Sequence, residues 1–141
     1  MIVPVYDHSD AVKVFVAKGL WGGRRSIEGY GLGFATEADG LVAGIVYHNF
    51  DPDGGVIELT AYSTRRDWLN RNHLRAVFSY PFEQLGVRLC VARISENNTR
   101  TLRIWRSFGA ELTPIPHLRA EGEAEIVAVL RRDTWENSKF A

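Results

Sequence analysis

Three clusters of side chains in this sequence have the types and spacing to do chemistry. Glu58 lies in the run VIELTAY (56–62), where alternation puts Ile57, Leu59 and Ala61 on one face and Glu58, Thr60 and Tyr62 on the other. A carboxylate in mid-strand, on the polar face, is a candidate for cleft chemistry. The polar segment STRRDWLNR (63–71) follows, with Arg65, Arg66 and Arg71 just ahead of a helical pattern. A second polar cluster, SENNT (95–99), stands ahead of another helical pattern. Free N–H groups at a helix N-terminus attract anions, so both strand-to-helix joints are where a ligand is expected. The local excess of arginine suits a ligand bearing phosphate.

The elements that must position these residues follow from periodicity. Residues 56–110 read strand, helix, strand, helix, a βαβα unit with a parallel or splayed strand pair. In the first helix Leu74, Val77, Phe78, Pro81, Phe82 and Leu85 form one apolar stripe. Pro81 predicts a kink, and Gly86 a stop. The second strand is 87–94. In the second helix Leu102, Trp105 and Phe108 make the stripe, Asn97 or Asn98 is the N-cap, and Gly109 the stop.

Ahead of this unit, 2–6 reads as a short strand and Ser9 or Asp10 caps a helix carrying Val12, Phe15 and Val16. The glycine-rich stretch 19–31, with Trp21, Arg24 and Arg25, reads as a flexible loop or broken helix that could shape an acceptor pocket. Strands 32–36 and 41–49 are joined across Ala38-Asp39-Gly40, and Asp51-Pro52-Asp53-Gly54-Gly55 turns the chain into Val56. After the unit, 111–118 is an irregular or edge strand broken by Pro114 and Pro116. A strongly apolar strand follows at 124–130, then a short turn at 133–137, after which order is expected to fade.

Composition narrows the class. The 141 residues are read as one domain, 1–141, large enough to bury a core without staples. With 17 basic and 17 acidic residues the formal net charge is zero, which gives no footprint for nucleic acid or a membrane surface. Cys90 is the single cysteine, inside a strand-like run, so it reads as a buried structural thiol and no disulfide framework exists. Four scattered histidines give no metal signature. No signal-peptide pattern opens the sequence, and the expected location is cytoplasmic.

The order β-α-β-β-β-α-β-α-β-β resembles the GNAT superfamily of N-acetyltransferases, nearest the branch of ribosomal-protein-alanine and antibiotic acetyltransferases. Asn98, Thr101, Trp105 and Gly109 fall on the family pattern Asn-x-x-(Ala/Ser)-x-x-x-Tyr-x-x-x-Gly, and Phe82–Val87 resembles its helix-to-strand passage. The resemblance implies an α+β fold: a mixed, mostly antiparallel sheet of six or seven strands, helices on both faces, and strands 4 and 5 splayed. It also implies acetyl-coenzyme A as co-substrate, and a primary amine, on a small molecule or a peptide or protein, attacking it directly in a ternary complex. Neither nucleic acid nor membrane is implied, and the chain would be a monomer or homodimer.

Carried onto this sequence, the resemblance makes Glu58 the proton acceptor; the competing reading pairs it with an arginine on a neighbouring strand. Main chain from Thr60 through Ala61 to Tyr62 would ladder with the pantetheine arm. Asn98 would hold a pantetheine amide, cap its helix, or both. The family loop Arg-Gly-x-Gly-x-Gly/Ala maps onto Arg65, Arg66, Asp67, Trp68, Leu69 and Asn70, followed by Arg71; only the arginine is kept. Either this loop still offers N–H groups and arginines to a pyrophosphate, or tight cofactor binding is lost. Trp68 would lie on the cofactor or anchor the loop. Trp105 stands where relatives carry the acidic tyrosine; an indole cannot protonate a thiolate, which leaves water or Ser107 to assist. Trp105 itself is a core aromatic or a pantetheine contact. The alternative function is a catalytically weak acyl-coenzyme A binding or interaction module.

Overall fold

Residues 1–141 are described by a computed structural model. In chain order the elements are β1 (Val3–Val5), α1 (Ser9–Trp21), β2 (Tyr30–Thr36), β3 (Gly40–Asp51), β4 (Val56–Ser63) and α2 (Arg71–Ser79). They continue with β5 (Leu89–Ser95), α3 (Thr99–Ser107), β6 (Glu111–Ala120), β7 (Glu123–Arg131) and α4 (Arg132–Glu136). The strands form one sheet in the order β1-β2-β3-β4-β5-β7-β6. Every neighbouring pair is antiparallel except β4–β5, which is parallel. This is the α+β architecture expected from the sequence, with β6 and its two prolines on an edge. No helix is long and apolar enough to cross a membrane.

Alternation along the strands splits the core across the sheet. On one face Val46 packs with Val12 and Val16 of α1. On the other, Ile45, Tyr47, Ile57, Leu59, Cys90, Ala92 and Ile94 join the apolar stripes of α2 and α3 and Trp135 of α4. Cys90 is fully buried, and burial pushes its thiol well above the ordinary range, so it is an inert packing group.

α1 sits unusually close to the sheet because the strands beneath it carry glycine. A Cβ on Gly31 or Gly33 would come within 2.8 Å of Val12, and one on Gly44 within 2.9 Å of Val12 and Val16. Gly19 has the same role from the helix side, since the Tyr62 ring occupies the place of its Cβ at 2.2 Å. The stretch from residue 19 is therefore not a loop at its start, as the glycines suggested. α1 runs through Gly19 to Trp21 and ends at Gly22 in the left-handed conformation, φ 62°. The N-cap also differs from expectation. It is His8, with no side-chain cap bond, because the Ser9 hydroxyl accepts instead from the Gly31 N–H at 2.8 Å.

The kink expected at Pro81 takes the form of a π-helical turn, Tyr80–Gln84, in which the Leu85 N–H donates to the Tyr80 carbonyl. Proline has no N–H to give the Val77 carbonyl four residues back. The buried Tyr47 hydroxyl donates to that carbonyl at 2.5 Å. At the C-terminus order does not fade as expected: Phe140 packs edge-on against Phe108, and the Ala141 carbonyl accepts from Arg71 and Arg75.

Removing the only donor to a buried carbonyl costs about 1–3 kcal/mol. Tyr47→Phe is therefore expected to lower unfolding free energy by about that amount in urea titration. A loss under about 0.5 kcal/mol would show that the Val77 carbonyl needs no such partner.

Candidate active site

The parallel ladder between β4 and β5 lasts three positions, Val56↔Leu89, Ile57↔Cys90 and Glu58↔Val91, and then stops. Each strand stays paired on its far side: β4 with β3 as far as Ser63↔Ala43, and β5 with β7 as far as Ser95↔Glu125. Main-chain phase follows from two bonds. Thr64 N–H donates to the Val42 carbonyl at 2.8 Å and Glu96 N–H to the Ala124 carbonyl at 3.2 Å. Opposed residues in an antiparallel ladder alternate between bonded and non-bonded pairs. The N–H and C=O groups of Leu59, Ala61 and Ser63 therefore point toward β5, and those of Arg93 and Ser95 point back. The Leu59 N–H closes the last step of the ladder on the Val91 carbonyl, while the Leu59 carbonyl and both groups of Ala61 and Ser63 face the gap. Of the segment 60–62, only Ala61 offers its main chain to the opening; Thr60 and Tyr62 turn theirs to β3.

A cavity of about 970 Å³ occupies this opening and reaches both faces of the sheet. On the α2–α3 side its wall includes Arg65, Arg66, Trp68, Leu69, Leu74, Asn98, Arg100 and Trp105. On the α1 side it includes Trp21, Arg25, His48, Asn49, Glu58, Thr60, Arg93, Arg119 and Glu125. Tyr62 and the main chain of Ala61 lie along its floor. Most residues singled out from the sequence are thus brought together. Asn70, Arg71, Arg24 and Ser107 are not on the wall. The Arg71 guanidinium is turned to the Ala141 carbonyl at 3.1 Å, and the Ser107 hydroxyl donates to the Ile104 carbonyl in its own helix.

Glu58 is held by partners that the sequence did not suggest. No arginine pairs with it. The Asn49 amide donates to its Oε1 at 3.0 Å, and His48 Nε2 lies 3.7 Å from Oε2 and 2.7 Å from the Thr60 hydroxyl. His48 stands directly opposite Glu58 in the β3–β4 ladder. A bulge between His48 and Asp51 puts Asn49 at φ 52°, which aims its side chain back at the carboxylate. Burial lowers the pKa of His48, partly offset by the Glu58 charge. The imidazole is accordingly neutral at pH 7 and free to accept a proton. Sequence reading missed His48 and Asn49 because the bulge shifts the register that the turn alone would dictate.

The loop 64–70 is fixed by its own contacts. Trp68 is buried with its ring 5.1 Å from Phe34, which anchors the loop, and its edge still meets the cavity. Nδ1–H of His73 donates to the Trp68 carbonyl. Asn70 is the N-cap of α2, its Oδ1 accepting from the His73 N–H at 2.9 Å. Arg65 binds Asp67, holding that carboxyl below its ordinary range, and reaches Asp39 at 3.4 Å. Arg65 is therefore already neutralised. Arg66 and Arg100 have no carboxylate partner, and Arg100 Nη2 donates to the Arg66 carbonyl at 3.4 Å. The N–H groups of Arg71 and Asn72 open α2 without a partner in the chain. Across the gap Asn98 caps α3, its Oδ1 accepting from the Thr101 N–H at 3.3 Å while its amide NH₂ makes no bond in the chain. Trp105 is buried edge-on to Phe78 and Phe108.

A neutral, desolvated His48 stabilises the fold fully above its unfolded pKa of about 6.5, and that contribution is lost as pH falls through the folded value. Proton NMR titration is expected to give His48 a midpoint below 6.5, and Glu58→Gln is expected to lower it further by removing the charge that favours imidazolium. A midpoint above 6.5, or one raised by the substitution, would contradict this electrostatic arrangement.

No protein-family model and no curated protein matches this sequence. Among solved structures, mutant forms of the spermidine/spermine N-acetyltransferase SpeG from Vibrio cholerae align over 97% of this chain and 98% of theirs, at TM-score 0.75 and 6% identity. A candidate acetyltransferase from Acinetobacter baylyi aligns over 100% and 98%, at TM-score 0.71 and 12% identity. The candidate acetyltransferase yncA from Salmonella typhimurium, solved with its cofactor acetyl-CoA, aligns over 94% and 95%, at TM-score 0.70 and 14% identity. The chain spans 61% of the length of a further candidate acetyltransferase that it matches at TM-score 0.62. These likenesses carry the fold: the chain is built as the GNAT-type acetyltransferases are, with the parallel β4–β5 pair at its centre.

Proposed function

We propose that this chain is an N-acetyltransferase that moves an acetyl group from acetyl-coenzyme A to an amine by direct attack within a ternary complex. The observation that carries the reading is the β4–β5 opening, where unpaired main chain of Ala61, with the Leu59 carbonyl beside it, floors a through-sheet cavity with Glu58 on its wall. Amide groups of an extended pantetheine arm match such an unpaired strand edge, as an added strand does. Apolar side chains of Leu69, Leu74 and Ile104 suit the arm's carbon skeleton, and the free Asn98 amide suits one of its carbonyls. Arg66, Arg100 and the free N–H groups opening α2 suit the phosphates, although the loop lacks glycine and Arg65 is already engaged.

Acetyl-coenzyme A supplies an acyl carbon activated by a thioester. The chain's residues do the rest. An amine with a reference pKa near 10 arrives mostly as ammonium and must lose a proton before its lone pair can attack. Glu58 accepts that proton, oriented by Asn49 and flanked by neutral His48, which can relay it. The C–N bond forms, the C–S bond breaks, and a main-chain N–H on β4 meets the charge that develops on the acyl oxygen. With Trp105 packed into the core and Ser107 bonded within α3, the second proton that the nitrogen sheds once the C–N bond has formed passes through water to the departing thiolate. The same burial of Trp105 favours the second reading, a module that binds acyl-coenzyme A and turns it over weakly.

Thermal unfolding with acetyl-coenzyme A tests the shared half. At a hundred times Kd the ligand is expected to add about 2.7 kcal/mol of stability, and no shift at millimolar ligand counts against both readings. Thiol release in an amine panel then separates them. Glu58→Gln is expected to cut kcat by about a hundred- to ten-thousand-fold, with acetyl-coenzyme A affinity unchanged. Release as fast as wild type would remove Glu58 from the mechanism.

A further inference from the structure

The amine-side half of the cavity carries an arrangement that the reaction itself does not need. Glu125 on β7 is 2% exposed, yet it is charged and doubly partnered. Its Oε2 accepts from Arg93 Nε at 3.1 Å with Nη2 of the same ion pair 2.9 Å away, and its Oε1 accepts from Arg119 Nη1 at 2.7 Å. One buried carboxylate thus holds two guanidinium groups on the cavity wall while neutralising only one of them. Both arginine side chains stay open, 49% and 38% exposed, with donors to spare. Arg25 lies on the same wall, its guanidinium 5.1 Å from the Trp21 ring centroid and without a carboxylate partner. In a chain of zero net charge this gathers positive charge around the seat of an amine that would itself be cationic. A polycationic acceptor is repelled there; an acceptor that also bears an anion is held.

Geometry limits where that anion sits. Glu58 faces Val91, and Arg93 lies two residues further along β5 on the same side of the sheet. A strand spacing of about 4.8 Å and a rise of about 3.3 Å per residue put the Glu58 and Arg93 Cα atoms at least about 8 Å apart. Both side chains bridge part of that span, so amine and anion belong a few bonds apart on one small molecule. Trp21, Ile27 and Leu118 give the same compartment an apolar wall. We infer that the acceptor is an amino acid with an apolar side chain, its amine at Glu58 and its carboxylate on the Arg93–Arg119 fork with Arg25 beside it. This inference rests on the transferase reading and names its substrate class.

The test compares L-leucine and L-phenylalanine with their decarboxylated amines and with spermidine, by acetyl transfer and by calorimetric binding in the presence of coenzyme A. The amino acids are expected to exceed the amines by at least about tenfold in kcat/KM. Arg25→Gln and Arg119→Gln are expected to raise KM for the amino acids at least about fivefold. They should leave kcat and the thermal shift by acetyl-coenzyme A unchanged, which keeps a folding defect apart from lost recognition. Efficient transfer to the amines or to spermidine without a preference for the carboxylate, or a KM indifferent to both substitutions, would overturn this inference and leave the transferase standing. Absence of coenzyme A binding together with absence of transfer to any acceptor would overturn both.

Discussion

The structure turns on main-chain hydrogen-bonding groups that a ladder leaves without a strand partner. β4 and β5 each stay paired with an outer neighbour along their length, but diverge from one another after three shared positions. The Leu59 carbonyl and the N–H and carbonyl of Ala61 are left facing an opening rather than a strand. A buried N–H or C=O without a partner costs on the order of a lost hydrogen bond, so such an edge persists where water or a ligand reaches it. The cavity between the strands provides that access. The rest of the fold props the wedge open. α2 and α3 begin just beyond it on one face, and α1 holds Trp21 over it on the other.

Each side of the wedge is pinned by a feature that looks incidental in isolation. Glycines at 31, 33 and 44 let α1 sink onto the sheet, and the Tyr62 ring lying over Gly19 carries the helix one turn further toward the cavity. On the opposite face Pro81 would leave the Val77 carbonyl without a donor in the core, and Tyr47 on β3 supplies one. That bond ties α2 to the strand next to β4. The bulge after His48 aims Asn49 at Glu58, so a local irregularity in the ladder sets the carboxylate's orientation. Packing and chemistry are linked here through main-chain geometry more than through choice of side chain.

Much of this was legible in the sequence, and the remainder was hidden for identifiable reasons. Element order, the apolar stripes of α2 and α3, the edge position of β6 and the splay of the central pair follow from periodicity and from the resemblance. Glu58 was visible because alternation alone puts it on the polar face. His48 and Asn49 were not, because their placement depends on a register that the bulge shifts after the turn at 51–55. Arg93, Arg119 and Glu125 were hidden likewise, since a second irregularity between Ile115 and Ala120 folds Arg119 back onto Glu125. The loop 64–70 was misleading in one respect. Its arginines look equivalent in the sequence, but Arg65 is spent on Asp67 and Asp39, and Arg71 on the C-terminus. That leaves Arg66, with Arg100 from α3, as the cations free for phosphate.

The central claim is that exposed main chain on β4 takes a thioester-bearing ligand as a further strand. Amide hydrogen exchange read residue by residue tests it most directly, with and without acetyl-coenzyme A. Bound ligand should slow exchange at Ala61 selectively, with Leu59, whose N–H already bonds β5 at the end of the ladder, and Glu58 and Thr60, whose N–H groups bond β3, unchanged. Equal exchange at Ala61 in the two conditions, under ligand concentrations that raise thermal stability, would mean that the ligand binds elsewhere and that the wedge is not its seat.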